Sequence, residues 1–311
     1  MPGEVETQAA PLVDIQPDVN ALERAILKTV AYADVFDYPL KAGEIHRYLV
    51  GLSASADMVN ELLSNGWFSP LVLQRCDEFY YLPGREAIIS TREQRLQLAA
   101  GLWPQAVYYG AQISRLPFVR MVAVTGALAM DNEPGRDLDY LIVTETGRLW
   151  LCRALIILLV RRAALSGAVV CPNYFLSENA LVVPQRNLYT AHELLQMVPL
   201  SGFETYWEMR RLNDWASAYL PNAAGLPRPE ISRSDGRTHR AWRSLAESLL
   251  RTPPGGWLEN WEMRRKLRKF RALYAFSSEA DFGPDWCKGH LGEYGARTLK
   301  AFAERVNGLY D

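Results

Sequence analysis

The chain has 311 residues, of which 49% are hydrophobic and 22% charged, and its formal net charge is −1 at pH 7. This length allows two or three domains, and the composition is ordinary for a globular protein with sizeable cores. A net charge near zero excludes a general electrostatic attraction to nucleic acid or membranes.

Three further features of the sequence bear on its location. The four cysteines are far apart and lack metal-ligand spacing, so we expect reduced thiols in a cytoplasmic protein. The N-terminus is acidic and has no apolar signal-peptide core. The most apolar run, 149–160, contains Arg153 and is shorter than the about twenty residues of a membrane span. We therefore expect no membrane span.

The first 83 residues divide into a tail and a small module. Residues 1–17 lack periodicity and predict a disordered tail. Hydrophobic spacing and turn residues then predict five elements, namely helices from Asp18 to Pro39, over 42–49 and over 55–65, and β-like runs over 67–73 and 79–82. Three helices followed by a β-hairpin resemble a winged helix in layout. The predicted module spans 18–83.

The candidate recognition helix of this module, 55–64, argues against DNA binding. It contains Asp57 and Glu61 but no Lys or Arg, whereas phosphate contacts supply most of the affinity for nucleic acid. We favour an intramolecular or protein-docking role, with nucleic-acid binding as the open alternative.

A helical connector is predicted over 84–116, with a kink or interruption at Pro104. Its basic residues alternate with acidic ones and predict a solvated face; they are Arg85, Arg92, Arg95 and Arg115.

The chemistry of the chain is concentrated in the next segment, 117–187. A buried strand over 121–124 is followed by a turn at Gly126, a polar loop and a second strand that carries Asp137 and Asp139. Residues two apart on a strand share a face, so the two carboxylates point to one place. Their repulsion is relieved by a hard divalent cation such as Mg²⁺.

This segment resembles the signature of the polymerase-beta-like nucleotidyltransferase superfamily. The signature is a small-residue turn, here Gly126-Ala127, and then two acids around an apolar residue, here Asp137-Leu138-Asp139. The resemblance implies a mixed α/β core, two Mg²⁺ ions held by the acids, and in-line attack on the α-phosphate of a nucleoside triphosphate.

Further site residues follow from this resemblance. Asp137 and Asp139 would be catalytic, and the nucleotide would contact Thr125, Gly126, Ala127, Arg136 and Asn173. The sequence departs from the family at Ala127, where a Ser is usual, and in lacking a clear third acid.

The third metal ligand is expected near a strand over 168–176, which follows a core helix over 148–164. Pro172 marks an edge or an irregularity in this strand, and Asn173 could offer a carbonyl oxygen. Glu178, just past the strand, is the candidate third catalytic acid. A surface carboxylate is the alternative for Glu178.

The remaining region, 188–311, is predicted to be helical, with helices over 191–197 and 203–219 and a linker over 221–237. His192 is predicted to be structural or exposed rather than catalytic. A basic run follows Trp257 and Trp261. It is expected to bind RNA, acidic lipid headgroups or a nucleotide's phosphates, or to form a solvated helix face. The run comprises Arg264, Arg265, Lys266, Arg268, Lys269 and Arg271.

The sequence thus predicts an α+β protein with a winged-helix-like module, a nucleotidyltransferase-like core and a helical C-terminal region. The leading function is Mg²⁺-dependent transfer of a nucleoside monophosphate to an unknown acceptor, which could be RNA, protein or a small molecule. The alternative is an inactive member of that fold serving as a nucleotide-binding, regulatory or interaction module.

Overall fold

A computed structural model describes residues 19–231, 240–273, 281–288 and 294–309 of the chain. Over these residues the fold combines helices with mixed sheets, so the predicted α+β class is confirmed. The predicted tail, the Asp18 cap and part of the predicted linker lie outside the described residues. Among the helices that are described, none is long and apolar enough to cross a membrane.

The N-terminal module has its own core, centred on Ile26, Ile45 and Leu49. Its elements are α1 (Val19–Asp34), β1 (Leu40–Lys41), α2 (Ala42–Arg47), α3 (Ala56–Ser64), β2 (Gln74–Cys76) and β3 (Phe79–Tyr81). The three strands form an antiparallel sheet in the order β1-β3-β2. The predicted strand over 67–73 is wrong, because the edge strand β2 is short and polar and gives no apolar pattern.

The connector is one helix, α4 (Ile88–Ser114), which continues through Pro104 without the predicted interruption. The prediction of a solvated basic face is also wrong. Arg92 is only 4% exposed, and two of its guanidinium nitrogens donate to the Glu44 carboxylate at 2.8 and 2.7 Å. Arg85 pairs with Asp34. These side chains face the N-terminal module and fasten it to α4.

The core has the predicted order of strand, turn, strand, helix and strand. Its elements are β4 (Val119–Val124), α5 (Gly126–Ala129), β5 (Asp137–Thr144), α6 (Leu149–Ala164) and β6 (Val169–Ser177). Three further strands, β7 (Val198–Ser201), β8 (Asp281–Phe282) and β9 (Trp286–Lys288), complete a sheet ordered β7-β4-β5-β6-β9-β8. The purely helical prediction for 188–311 is therefore wrong, since runs this short carry no periodic signal.

Helices cover both faces of this sheet. The remaining helices are α7 (Leu188–Gln196), α8 (Phe203–Leu212), α9 (Ala216–Tyr219), α10 (Arg240–Leu250), α11 (Pro253–Leu273) and α12 (Tyr294–Asn307). Leu138 and Tyr140 point into a core with α4 and α6, whereas Leu141 and Val143 point into a second core with α7 and α8. By strand alternation, Asp137 and Asp139 belong to the second face.

Two predictions on the second face have clear outcomes. The single helix expected over 203–219 is two helices, because the buried Asn213 side chain binds the backbone of Leu181 and Val183 between them. His192, predicted to be structural or exposed, is buried and stacks on Tyr32 with ring centroids 4.0 Å apart. Through this stack, and through the Arg305–Asp34 ion pair, the N-terminal module rests on α7 and α12.

Candidate functional site

The turn after β4 is pressed against the second aspartate. The Thr125 amide donates to the Asp139 carbonyl at 3.0 Å. Gly126 has a φ of +67°, and a Cβ atom there would lie 2.6 Å from Asp139 Oδ2. Any side chain at this position would therefore collide with the carboxylate as well as strain the backbone. The structure brings Thr125, Gly126 and Asp139 together.

The two aspartates differ in environment. Asp137 begins β5 and is exposed, whereas Asp139 is half-buried. Burial and, to a smaller extent, the charges of the Glu133, Asp137 and Glu193 carboxylates together raise the pKa of Asp139 from 3.8 to about 7. A half-buried acid surrounded by other acids favours either a proton or a cation.

Asn173 reaches Asp139 because β6 is irregular at Pro172, which is one of the two alternatives, an edge or an irregularity, that the sequence left open. The β5–β6 register shifts there: Tyr140 pairs with Pro172 but Leu141 pairs with Tyr174, which leaves Asn173 as an extra residue. A bulge of this kind redirects a side chain. The Asn173 Nδ2 group donates a hydrogen bond to Asp139 Oδ1. In this placement Asn173 presents its amide nitrogen to the site, not the carbonyl oxygen expected of a metal ligand.

Glu178 is remote from this group. It follows the far end of β6, and its backbone amide donates to the Thr144 carbonyl at the far end of β5. The five residues from Asp139 to Thr144 separate the two carboxylates by roughly 17 Å along the strand. The Glu178 side chain is exposed and lies 3.5 Å from Arg120, so the structure does not bring it to the aspartates.

Two other acids are close enough to influence Asp139, and the sequence reasoning missed both. Glu133 is buried, and its Oε1 atom accepts from the Gly135 amide at 2.8 Å, which holds the loop before β5. Glu193 approaches from α7. Glu193 is distant in sequence and lies on a different layer, so no local motif identifies it.

The remaining predicted contacts, Ala127 and Arg136, lie on either side of this loop. The Ala127 carbonyl accepts from the Asn132 amide at 2.9 Å and so closes the turn. Arg136 is exposed immediately before Asp137.

A cleft of about 350 Å³ opens on the same face of the sheet. Its lining includes Thr125, Leu141, Tyr174, Tyr189, Glu193 and Lys288. Neither aspartate lines the cleft. Two of its lining residues are close to Asp139, however: Thr125 is hydrogen-bonded to the Asp139 backbone, and Leu141 is the next residue on the same face of β5. The cleft therefore adjoins the aspartate pair.

Glu193 is the acidic group of this cleft. Burial raises its pKa to about 7, and the charge of Lys288 opposes that rise. Within the described part of the chain, no hydrogen bond to the Glu193 carboxylate is observed. The Lys288 ammonium already donates to Gln185 Oε1 at 3.2 Å.

The donor chemistry of the site fits a hard cation. Asp137 and Asp139 offer carboxylate oxygens, and Mg²⁺ completes its shell with water and substrate phosphates. Among the described residues, no group of three or more His, Cys, Asp or Glu side chains is arranged to hold a metal ion. The carboxylates that could hold such a cation at this site are those of Asp137 and Asp139.

Comparison with known protein families, with curated proteins and with solved structures gives no match for this chain.

Proposed function

We propose that the protein is a Mg²⁺-dependent nucleotidyltransferase built on a nucleotidyltransferase-like core. The observation that supports this best is the close packing of the Gly126 turn against Asp139, with Asp137 on the same face and a cleft beside them. A turn without a side chain lets phosphate approach the backbone, and the two carboxylates supply the charge that a metal–triphosphate complex requires.

Each residue has a distinct role in this proposal. Asp137 and Asp139 hold the cation, Gly126 and Ala127 offer backbone to the triphosphate, and Arg136 contacts its outer oxygens. Asn173 fixes the orientation of the Asp139 carboxylate through its hydrogen bond. A bound Mg²⁺ supplies charge stabilisation at the α-phosphate and at the leaving pyrophosphate.

The cleft is the acceptor site in this proposal. An acceptor hydroxyl lying against Glu193 attacks the α-phosphorus, and the bond from that phosphorus to the bridging oxygen breaks to release pyrophosphate. The hydroxyl proton passes to the Glu193 carboxylate. A pKa of about 7 suits a general base at neutral pH, because the group is then partly ionised and still basic.

A second candidate is a nucleotide-binding module without transferase activity. Two observations favour it: Ala127 lacks the hydroxyl that the resemblance leads us to expect, and Glu178 lies far from the aspartates. The same pair and turn would then bind a metal–nucleotide complex for recognition alone.

Transfer of labelled nucleotide from α-labelled ATP or UTP separates the two candidates. The acceptors are the protein itself, bulk RNA and a panel of small hydroxyl compounds. We expect wild type to transfer and Glu193→Gln to lose roughly 10²–10⁴-fold in rate, the usual contribution of a general base. Glu178→Gln, an exposed acid remote from the site, is the matched control and should retain the wild-type rate. Nucleotide binding without any transfer would favour the binding module.

We propose further that the N-terminal module is winged-helix-like and serves to dock α4, α7 and α12 rather than to read DNA. The exposed residues of α3 include Asp57 and Glu61 and no cation. Fluorescence anisotropy with the full chain should detect no salt-resistant, sequence-selective binding to duplex DNA. Such binding would contradict this role.

A further inference from the structure

The helical hairpin formed by α10 and α11, residues 240–273, has a charge unlike that of the whole chain. It contains nine basic and three acidic residues, which gives a net charge of +6, whereas the complete sequence has −1. The aspartate site does not involve this hairpin.

All three acidic residues of the hairpin are turned inward. Glu247 accepts from the Phe118 amide at 2.9 Å, and Glu259 accepts from the Trp150 and Leu151 amides at the start of α6. Glu262 is only 6% exposed and pairs with Arg265. The outer surface of the hairpin therefore carries no carboxylate of its own.

Large apolar side chains are exposed on both helices of the hairpin. On α10, Leu245 and Leu249 are 74% and 69% exposed, and Trp242 accompanies them. On α11, Trp257 and Trp261 are also exposed, and their rings stack with centroids 6.4 Å apart. Trp242, Leu245 and Leu249 are three and four residues apart and so share one side of α10, and a cluster of exposed apolar side chains, unlike a single one, marks an interaction surface.

Basic residues continue the outward face of α11. Trp257, Trp261, Arg264 and Arg268 follow each other at spacings of three or four residues, which places them on one side of a helix. Among the described residues, no ion pair joins Arg264, Arg268 or Lys269 to a carboxylate. The exposed side chains of the two helices thus include leucine, tryptophan and arginines without a described carboxylate partner.

We propose that the α10–α11 hairpin lies on anionic lipid surfaces. Exposed leucines and tryptophans enter the headgroup boundary while the arginines and lysine pair with acidic headgroups, as in interfacial amphipathic helices. Single-stranded RNA would use the tryptophans and arginines, but Leu245 and Leu249 offer it neither stacking nor charge. The aliphatic half of the surface therefore favours lipid.

Vesicle co-sedimentation of the full chain tests this directly. The probes are vesicles of phosphatidylcholine alone and of a three-to-one mixture of phosphatidylcholine and phosphatidylglycerol, at low and physiological salt. We expect binding to the mixed vesicles only, weakened by salt. The double variant Arg264→Ala/Arg268→Ala should lower partitioning into the mixed vesicles at least tenfold, because each basic residue near such a surface contributes roughly fivefold. The double variant Leu245→Glu/Leu249→Glu should also lower it at least roughly tenfold, because it removes apolar side chains and adds negative charge.

Matched controls are available in the N-terminal module. Leu71→Glu changes a leucine that is 87% exposed, and Arg24→Ala changes an exposed arginine; both should bind vesicles like wild type. Equal binding to both kinds of vesicle, or equal loss in the controls, would overturn the proposal. Tight binding of an oligouridine RNA without vesicle binding would also overturn the proposal. The same holds if wild type is a dimer that Leu245→Glu converts to a monomer, because the leucines would then form a contact between two copies of the chain.

Discussion

Asp139 Oδ2 lies 2.6 Å from the point that a Cβ atom on Gly126 would occupy. The turn and the second aspartate are joined again through the Thr125 amide and the Asp139 carbonyl. The carboxylate position therefore dictates which residue can form the turn. This coupling explains why a glycine and an aspartate thirteen residues apart in sequence act as one structural unit.

Substitution of Gly126 by Ala should cost more stability than the same change at Gly147. Both glycines have a positive φ, +67° and +72°, but nothing lies within 4 Å of a Cβ at Gly147. We expect Gly147→Ala to lose about 1 kcal/mol and Gly126→Ala about 2–4 kcal/mol in urea unfolding. Equal losses would show that the contact with Asp139 is unimportant.

The raised pKa of Asp139 predicts a pH-dependent stability. The unfolded chain ionises this group near its ordinary pKa of 3.8, whereas the folded protein ionises it at about 7. The folded state therefore binds more protons in this window, and stability falls as the pH rises through it.

Asp139→Asn removes this dependence. Relative to wild type, the variant's free energy of unfolding should rise by about 2–4 kcal/mol from acidic to mildly alkaline pH, in metal-free buffer. Denaturant titrations of both proteins across that range measure it. A constant difference between the two proteins would contradict the raised pKa.

The Arg92–Glu44 pair should be essential for docking the N-terminal module on α4. Arg92→Ala leaves the Glu44 carboxylate without its two guanidinium hydrogen bonds and removes the stacking on Tyr38. We expect a loss of about 2–4 kcal/mol and faster proteolysis before residue 88. Arg24→Ala, at an exposed position, is the control and should change neither.

The sequence predicted the centre of the core well, because its information is local. The strand carrying Asp137 and Asp139 alternates between two faces, and Gly126 marks the turn before it. Pro172 was predicted to mark an edge or an irregularity, since proline cannot donate to a sheet ladder, and the structure shows the irregularity.

Other features depended on contacts between distant parts of the chain. The strands β7, β8 and β9 are short, and they are strands because they pair with neighbours distant in sequence or with each other. Arg92 was predicted to lie on a solvated face, because its partner Glu44 is 48 residues away in the sequence. Glu193 joins the site only because α7 packs over the sheet, whereas Glu178, close in sequence to Asn173, extends beyond the opposite end.

The central claim is that Asp137 and Asp139 bind a divalent cation together with a nucleotide. Isothermal calorimetry tests this claim most directly, by titrating Mg²⁺–ATP into wild type, Asp139→Asn and Asp57→Asn. Asp57 is an exposed aspartate on α3 and serves as the control. We expect wild type and Asp57→Asn to bind alike, and Asp139→Asn to bind at least roughly tenfold more weakly, in line with the loss of a charged ligand. Equal affinity in all three proteins would contradict the claim.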